Sequence, residues 1–497
     1  MWYIAVVIVA FATTLAYFNI KFSYWKRKEV AFFPAKIPWG SFRNIMENNL
    51  YQQVEAFYKY FRYKQVSYGG IYLFTNPIFV PINPSLIRQI LVKDFWHFSS
   101  RVSYHNMRDQ KLCAHVFHAY GHKWRMLSAK VKKVLSPPKI RLLIPTMQDS
   151  YAPLVGLLDF YVSQGLSVDL KSLVENITRD VLMNCVLGMD ANEDFKWFED
   201  CLLVKSKKEV LLDHVRRMYP NVARYYGVLN YPREAEEFFA KTVLKYIKKR
   251  HCNSISHKDF LQLLMEIHNH DYEIDDLPEE DKLTMYDIIN QCFFFYIHGF
   301  SATVKVLSFA LYELARSERV QNKIRTEIMH SLEKNHGKFG YDELNELKYL
   351  EQVVQEILRK HPPITVLERK CTRRYKLPQV DKYLERGTFV VISIAGVHKD
   401  EIFYPDPEKF EPERFSEKHK EKYEKQCVYM PFGEGRRSCP GQRFAKTQLK
   451  MALVMIIRNF QFYLTPGGTN PLEEGLMLQF QKVAEERRIS SQFYINI

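Results

Sequence analysis

The chain reads as a mainly α protein with a small β portion, folded as one large domain behind an N-terminal apolar helix. Three observations predict this. Long stretches keep apolar residues at helical spacing, among them residues 291–315, 350–358 and 444–456. One run rich in β-branched residues, 388–394 (Thr-Phe-Val-Val-Ile-Ser-Ile), has strand character. After residue 40 no Pro/Gly/Ser-rich linker or internal repeat divides the 497 residues, so a single domain is expected where length alone suggests roughly three.

In chain order, residues 1–20 carry no charge and are followed by Lys21, Lys26, Arg27 and Lys28. A helix of that length just crosses the hydrocarbon of a bilayer, about 30 Å. Residues 1–20 are therefore read as a membrane anchor, with the basic flank placing everything downstream in the cytosol. A cleaved signal peptide is the rival reading; the segment lacks its charged start and a clear small-residue cleavage site. Pro34 and Pro38 disfavour helix, so residues 21–40 are expected as a basic flank and stiff connector ahead of a domain spanning 41–497. The sequon Asn176-Ile177-Thr178 gives a check on topology, because glycosylation there would contradict a cytosolic domain.

A formal net charge of +15 implies an acidic partner or a membrane surface. Nucleic acid is not expected as a partner, since the basic residues lie within amphipathic helices and no recognition motif accompanies them. Eight cysteines are scattered without C-x-x-C pairs, which argues against zinc sites and a disulfide framework and fits a reducing compartment.

One of those cysteines carries the chemistry. Residues 431–445 read Pro-Phe-Gly-Glu-Gly-Arg-Arg-Ser-Cys-Pro-Gly-Gln-Arg-Phe-Ala, a glycine-rich loop that places Cys439 just before a helical apolar pattern. Unpaired amide donors at a helix start favour the sulfur as thiolate. Gly433, Gly435 and Gly441 let the backbone bend and approach a flat cofactor, Phe432 can cover the sulfur, and Arg437 can meet a carboxylate such as a haem propionate.

These residues resemble one family closely. The F-x-x-G-x-R-x-C-x-G pattern of the cytochromes P-450 is matched at Phe432, Gly435, Arg437, Cys439 and Gly441, and the resemblance runs from about residue 30 onward, most closely to the insect detoxification type of microsomal member. It implies the P-450 fold with haem b held through Cys439 as metal ligand, the ligation mode that favours O–O cleavage. Glu356 and Arg359 match the family's E-x-x-R motif, and Pro412-Glu413-Arg414-Phe415 its P-E-R-F segment. By resemblance Glu356, Arg359 and Arg414 form a buried network that fixes the loop presenting Cys439. Arg101 and Arg369 match arginines that bind haem carboxylates, and Trp124 matches the tryptophan of W-x-x-x-R. Ser128 stands where that motif has arginine, which predicts weaker haem retention.

The apolar helix over 291–315 matches the family's distal helix, and there the pattern departs. The motif [AG]-G-x-[DE]-T-[TS] falls on His298, Gly299, Phe300, Ser301, Ala302 and Thr303, keeping the glycine but replacing the acid by Ser301 and the oxygen-side threonine by Ala302. These positions are the candidate catalytic residues. The acid–alcohol pair normally organises proton delivery; Thr303 is rotated about 100° around the helix and cannot simply substitute. His298 shares a face with Ala302, one turn earlier. Three readings of it stay open: turned aside into a polar pocket, a proton relay titrating near neutrality, or an iron ligand opposite Cys439.

The resemblance implies a monooxygenase inserting one oxygen atom from O2 into a lipophilic substrate, whether xenobiotic, insecticide or steroid-like hormone. The implied electron donor is NADPH-cytochrome reductase, with cytochrome b5 as a further partner, at the endoplasmic reticulum membrane. Lys123, Arg125, Lys130, Lys132, Lys133 and Arg436 are the candidate basic surface for an acidic reductase. Alternatives are an O2-independent peroxide isomerase or dehydratase, and a non-catalytic haem-thiolate binding protein with His298 on iron. The substrate pocket is expected from residues 104–112, Phe294, Ile297, 364–367 and 476–478, with the aromatic stretch 218–231 either dipping into the membrane interface or packing ordinarily.

Overall fold

The computed structural model describes residues 2–483 apart from 48, 49, 103, 105, 107, 108, 191, 192, 253–256, 379, 467–469 and 474. Helix α1, Trp2–Phe22, has none of its residues buried, and only its last turn touches the domain, where Phe22 lies 5.3 Å from the Tyr72 ring and its carbonyl accepts from Tyr72 Oη at 2.8 Å. The segment after it is no free connector. Trp25 is fully buried, its Nε1 donating to the Ile71 carbonyl at 3.1 Å. A Cβ at Gly70 would lie 2.4 Å from the Trp25 ring, so glycine there makes room for the indole. Phe33 N donates to Gly70 O at 2.9 Å, and Lys36 and Gly40 exchange backbone bonds at 2.7 and 2.8 Å. Burying one indole is worth about 2–3 kcal/mol, enough to keep residues 25–40 on the sheet.

Helix α2, Leu50–Tyr63, leads to strands β1, Tyr68–Leu73, and β2, Asn76–Pro81. Helices α3, Gly121–Val134, and α4, Pro137–Ser163, then precede a short strand β3, Val168–Asp169, and helix α5, Leu170–Leu182. Helix α6, Met285–Ala315, runs 31 residues from a capping box in which Thr284 and Asp287 bond reciprocally. After α7, Glu318–Lys334, and α8, Lys348–Lys360, come strands β4, Val366–Lys370, and β5, Phe389–Ser393. Helix α9, Gln442–Asn459, is followed by β6, Phe460–Leu464, and β7, Met477–Lys482.

The strands form a sheet in the order β1-β2-β5-β4, with β2 and β5 parallel, and a second in the order β3-β7-β6. β5 is the strand expected at 388–394, and all five of its residues are buried. The apolar stripe of α8 (Leu350, Val353, Val354, Ile357, Leu358) is buried, as its spacing predicts. It packs with α4, α5, α6, α7 and α9 in one core, while the four-stranded sheet anchors a second around Trp25, Tyr72 and Phe79. Helix α6 joins the α8 core, through Val306 to Ala315, to a third core around Leu127, Phe198 and Leu264, through Ile288 to Phe300, and a Cβ at Gly299 would sit 3.3 Å from Leu182 of α5.

Candidate functional site

The Cys439 loop is built by two left-handed glycines. Gly433 and Gly435 have φ of +73° and +75°, and a Cβ at Gly435 would lie 2.2 Å from the carbonyl oxygen of Leu91. Cys439 N donates to Phe432 O at 2.8 Å, which closes the loop three residues before α9 begins. The cysteine is accessible although it lies deep in the protein, so the space it faces is internal. Gly441 has ordinary φ, and a Cβ there would meet only Phe295 at 3.7 Å and the Cys439 sulfur at 4.0 Å. No protein atom demands that glycine; a flat group against the sulfur would. Burial pushes the Cys439 thiol up, and the Gly441 N–H and Arg101 oppose it only in part. The Gly441 N–H thus favours the thiolate, as the sequence suggests, without outweighing burial, and a metal cation on the sulfur would favour it further.

Three arginines converge beside this space. Arg437 is buried, donates to Ser99 O at 3.1 Å and Ala119 O at 2.8 Å, and lies 4.2 Å over the Trp124 ring. Arg101 donates to the Arg437 carbonyl at 2.9 Å and lies 4.0 Å over Phe117. Arg369, on β4, is buried, and its Nε has no partner among the described residues. Burial together with Arg369 lowers Arg437 to about 9, burial lowers Arg369 to about 10, and Arg101 is pushed well below its ordinary range by burial, Arg369 and Arg437. The carboxylate beside Arg369, Glu368, is paired at 2.7 Å with Arg217 instead. Three guanidiniums that repel one another, two buried and Arg101 half-buried, fit a ligand carrying carboxylates. Haem, with a metal for the sulfur, a flat ring against Gly441 and two propionates, satisfies all three demands.

Across the space lies one face of α6. Phe294, Ser301, Ala302, Lys305 and Phe309 are only partly covered, and His298 is exposed, although the helix crosses the protein interior. These six fall within about 100° of one another around the helix, so they form a single open row. Gly299 and Thr303 belong elsewhere: Gly299 faces Leu182 and Thr303 is buried, so neither of these two expected catalytic positions shares the row with His298. The His298 ring lies 5.8 Å from Phe117, nearly parallel to it, and 4.6 Å from Phe294. Burial, then Arg101, lowers His298 to about 4. Arg101 acts on both His298 and Cys439, so one guanidinium lies near both side chains.

Behind the loop, Glu356 takes Arg359 in a fork of 2.7 and 2.8 Å with both side chains fully buried, and Arg414 Nε approaches Glu356 at 3.5 Å. Arg359 also donates to His398 O at 2.9 Å and Pro407 O at 2.7 Å, and Glu411 N donates to Glu356 at 3.1 Å. The three residues thus clamp the segment from 398 to 411.

A family model described as cytochrome P450 matches residues 36–488. The chain belongs to the cytochrome P450 family. Similar relatives include "Probable cytochrome P450 6a18" and "Cytochrome P450 6a8" of Drosophila melanogaster, each 30% identical over 481 residues, covering 95% of this chain and 94% of theirs. "Probable cytochrome P450 6a13" of the same fly is 31% identical over 452 residues, covering 89% of this chain and 88% of its own. Membership makes this P450 a haem-dependent oxidoreductase of the monooxygenase type.

Two residues of this P450 carry weight that its sequence pattern does not disclose as function. His398 Nδ1 bonds Arg359 O at 3.1 Å and its Nε2 accepts from Met430 N at 3.0 Å, tying the Glu356 network to the Cys439 loop. Nothing in the sequence marks it. Lys305 does leave a signal: it is the one formal charge between Gln291 and Tyr312. Of the expected basic surface, Arg125, Lys132, Lys133 and Arg436 are exposed, whereas Lys123 pairs with Asp287 at 2.7 Å and Lys130 with Asp271. Of the expected pocket, residues 105, 107 and 108 lie outside the described residues, and Ile297, Leu476 and Leu478 are buried in the cores.

Proposed function

We propose that this P450 is a membrane-anchored monooxygenase that takes electrons from NADPH through a flavoprotein reductase and places one oxygen atom from O2 into a lipophilic substrate. The observation that carries the reading is an accessible Cys439 close to α6, with Arg101, Arg369 and Arg437 gathered near by. Haem b, when bound there, supplies a redox-active iron able to activate dioxygen. Cys439 would bind that iron through sulfur, the three arginines would hold the propionates, and Trp124 backs Arg437. Phe117 and Phe294 line the opposite side and exclude water. Helix α1 is 21 residues long, predominantly apolar and with no residue buried, about the thickness of the bilayer core. It serves as the anchor to the endoplasmic reticulum, with the domain in the cytosol. Arg125, Lys132, Lys133 and Arg436 supply the docking charge, giving an encounter that weakens with salt.

A second reading is favoured by the row itself. Ser301 and Ala302 provide neither an acid nor a paired alcohol, and His298, held neutral and open to the same space, keeps a nitrogen lone pair free to bind metal. Binding of that nitrogen to the iron would leave a non-catalytic haem-thiolate protein, whereas the missing acid–alcohol pair, with the iron left open, would suit an enzyme that rearranges peroxides without O2. Spectra of reduced protein with carbon monoxide, compared across wild type, Cys439→Ala and His298→Ala, test both. A thiolate signature lost in Cys439→Ala and unchanged in His298→Ala, with turnover dependent on reductase and NADPH, supports the first reading. Nitrogenous ligation in the resting protein that disappears in His298→Ala supports the second.

A further inference from the structure

Helices α4, α7 and α9 enclose a cavity of about 320 Å³, which falls within the size range of small-molecule sites. Its wall is apolar, made by Leu332 of α7, Phe339 in the segment after it, and Met451, Val454 and Met455 of α9. Gln148 of α4 fixes Phe339, its Nε2 donating to the Phe339 carbonyl at 2.6 Å. Met451 lies nine residues, about 13 Å, along α9 from the helix start at Gln442, so the cavity stands apart from the space that Cys439 faces.

The charge at this cavity is unbalanced. Asp149 of α4 lines it with an exposed carboxylate, and among the described residues no cation pairs with it. Its neighbours at i±3 and i±4, Pro145, Thr146, Ala152 and Pro153, carry no charge. Pro153 lies inside the helix and has no N–H for the Asp149 carbonyl, so the main chain adds an acceptor there rather than a donor. The cations of the region are committed: Arg141, two turns earlier on α4, is paired with Asp342 at 2.6 Å, and Arg458 of α9, the other charged residue of the lining, is not free. Methionine sulfur and the Phe339 ring are polarizable surfaces that accept a cation together with its hydrocarbon.

We propose that this cavity is a second small-molecule site of the P450, separate from the haem, and that it takes lipophilic ammonium cations. The hydrocarbon body lies among Phe339, Met451 and Met455, and the charged nitrogen meets the Asp149 carboxylate.

The test titrates the haem-loaded full chain at neutral pH with benzyltrimethylammonium, neutral 2-phenylethanol and anionic 3-phenylpropionate, following heat of binding and the haem absorbance together. The quaternary nitrogen has no lone pair and cannot ligate iron. Wild type is expected to bind the cation at least about fivefold more tightly than either of the others, with the haem absorbance unchanged. Asp149→Asn is expected to erase the preference, and Ala152→Phe, which fills the cavity from α4, to abolish binding of the cation. Asp149 is exposed, so its variant decides the matter should Ala152→Phe fail to fold. Equal affinity for cation and alcohol, a preference that survives in Asp149→Asn, binding unaltered in folded Ala152→Phe, or a haem absorbance change caused by the cation overturns the proposal. So does a preference for the anion, which would give the site to Arg458, or binding of the cation only after residues 484–497 are removed, which would make the chain its own occupant.

Discussion

The imidazole of His398 accepts the backbone N–H of Met430 at 3.0 Å, two residues before Phe432 opens the Cys439 loop. Its other nitrogen bonds the carbonyl of Arg359 at 3.1 Å, so one buried ring couples the Glu356–Arg359 fork to the Cys439 loop. Replacing it with phenylalanine keeps the packing against Tyr404 and Tyr429 but orphans two buried backbone groups. His398→Phe is expected to cost about 2–4 kcal/mol in urea unfolding and to lower the haem content of purified protein. Unchanged stability and haem content would mean that the loop is held without this bridge.

The same ring sets a pH dependence. Burial and then Arg359 lower His398 to about 3, and burial and then Arg217 lower His214 to about 4, both from an ordinary 6.5. Below pH 6.5 the unfolded chain binds protons that the folded chain refuses, so stability falls as pH drops from about 6.5 toward 4. His398 alone accounts for about 3 kcal/mol of that loss by pH 4. Denaturation midpoints measured across this range should fall less steeply for His398→Gln, which cannot titrate, than for wild type.

Much of this site is legible in the chain because its parts are local. The loop from Phe432 to Gly441 and the E-x-x-R turn each sit on one short segment, and their geometry follows from glycine and helix spacing. The rest depends on which face a helix turns inward. Gly299 belongs to a motif that suggests chemistry, yet it serves the approach of α5 to α6. Lys305 looks like a lone charge in an apolar run until the open row of α6 is seen. His398 joins two segments that are 39 and 32 residues away along the chain, and no periodicity announces such a bridge. The fate of residues 25–40 is equally hidden: two prolines suggest a stiff spacer, but Trp25 and Gly70 fit together only in three dimensions.

Mutual repulsion among Arg101, Arg369 and Arg437 predicts opposite effects on protein with and without haem. Arg369→Leu removes one buried positive charge with an unpartnered Nε. Haem-free protein should then melt at the same temperature or higher, while haem-loaded protein should release its haem at least about tenfold faster to an acceptor globin. Ser128→Arg, one turn beyond Trp124 on α3 and half-buried, should act the other way and slow release. A lower melting temperature for haem-free Arg369→Leu would show that the arginines are there for the fold rather than for a ligand.

Gly435 and Gly441 separate what the fold needs from what the cofactor needs. At Gly435 the backbone has φ +75°, and a Cβ would lie 2.2 Å from the Leu91 carbonyl oxygen, a main-chain atom that cannot swing away. Gly435→Ala is expected to destabilise haem-free and haem-loaded protein alike, by about 3 kcal/mol or more. At Gly441 the backbone is ordinary and the nearest atoms to a Cβ are Phe295 at 3.7 Å and the Cys439 sulfur at 4.0 Å, both normal contacts. Gly441→Ala should therefore leave the stability of the haem-free protein within about 1 kcal/mol of wild type. The added methyl instead fills the space beside the sulfur, so haem affinity should fall by at least about tenfold, read by titrating haem into haem-free protein. Full haem affinity in Gly441→Ala would place the flat group elsewhere than against this face of the loop.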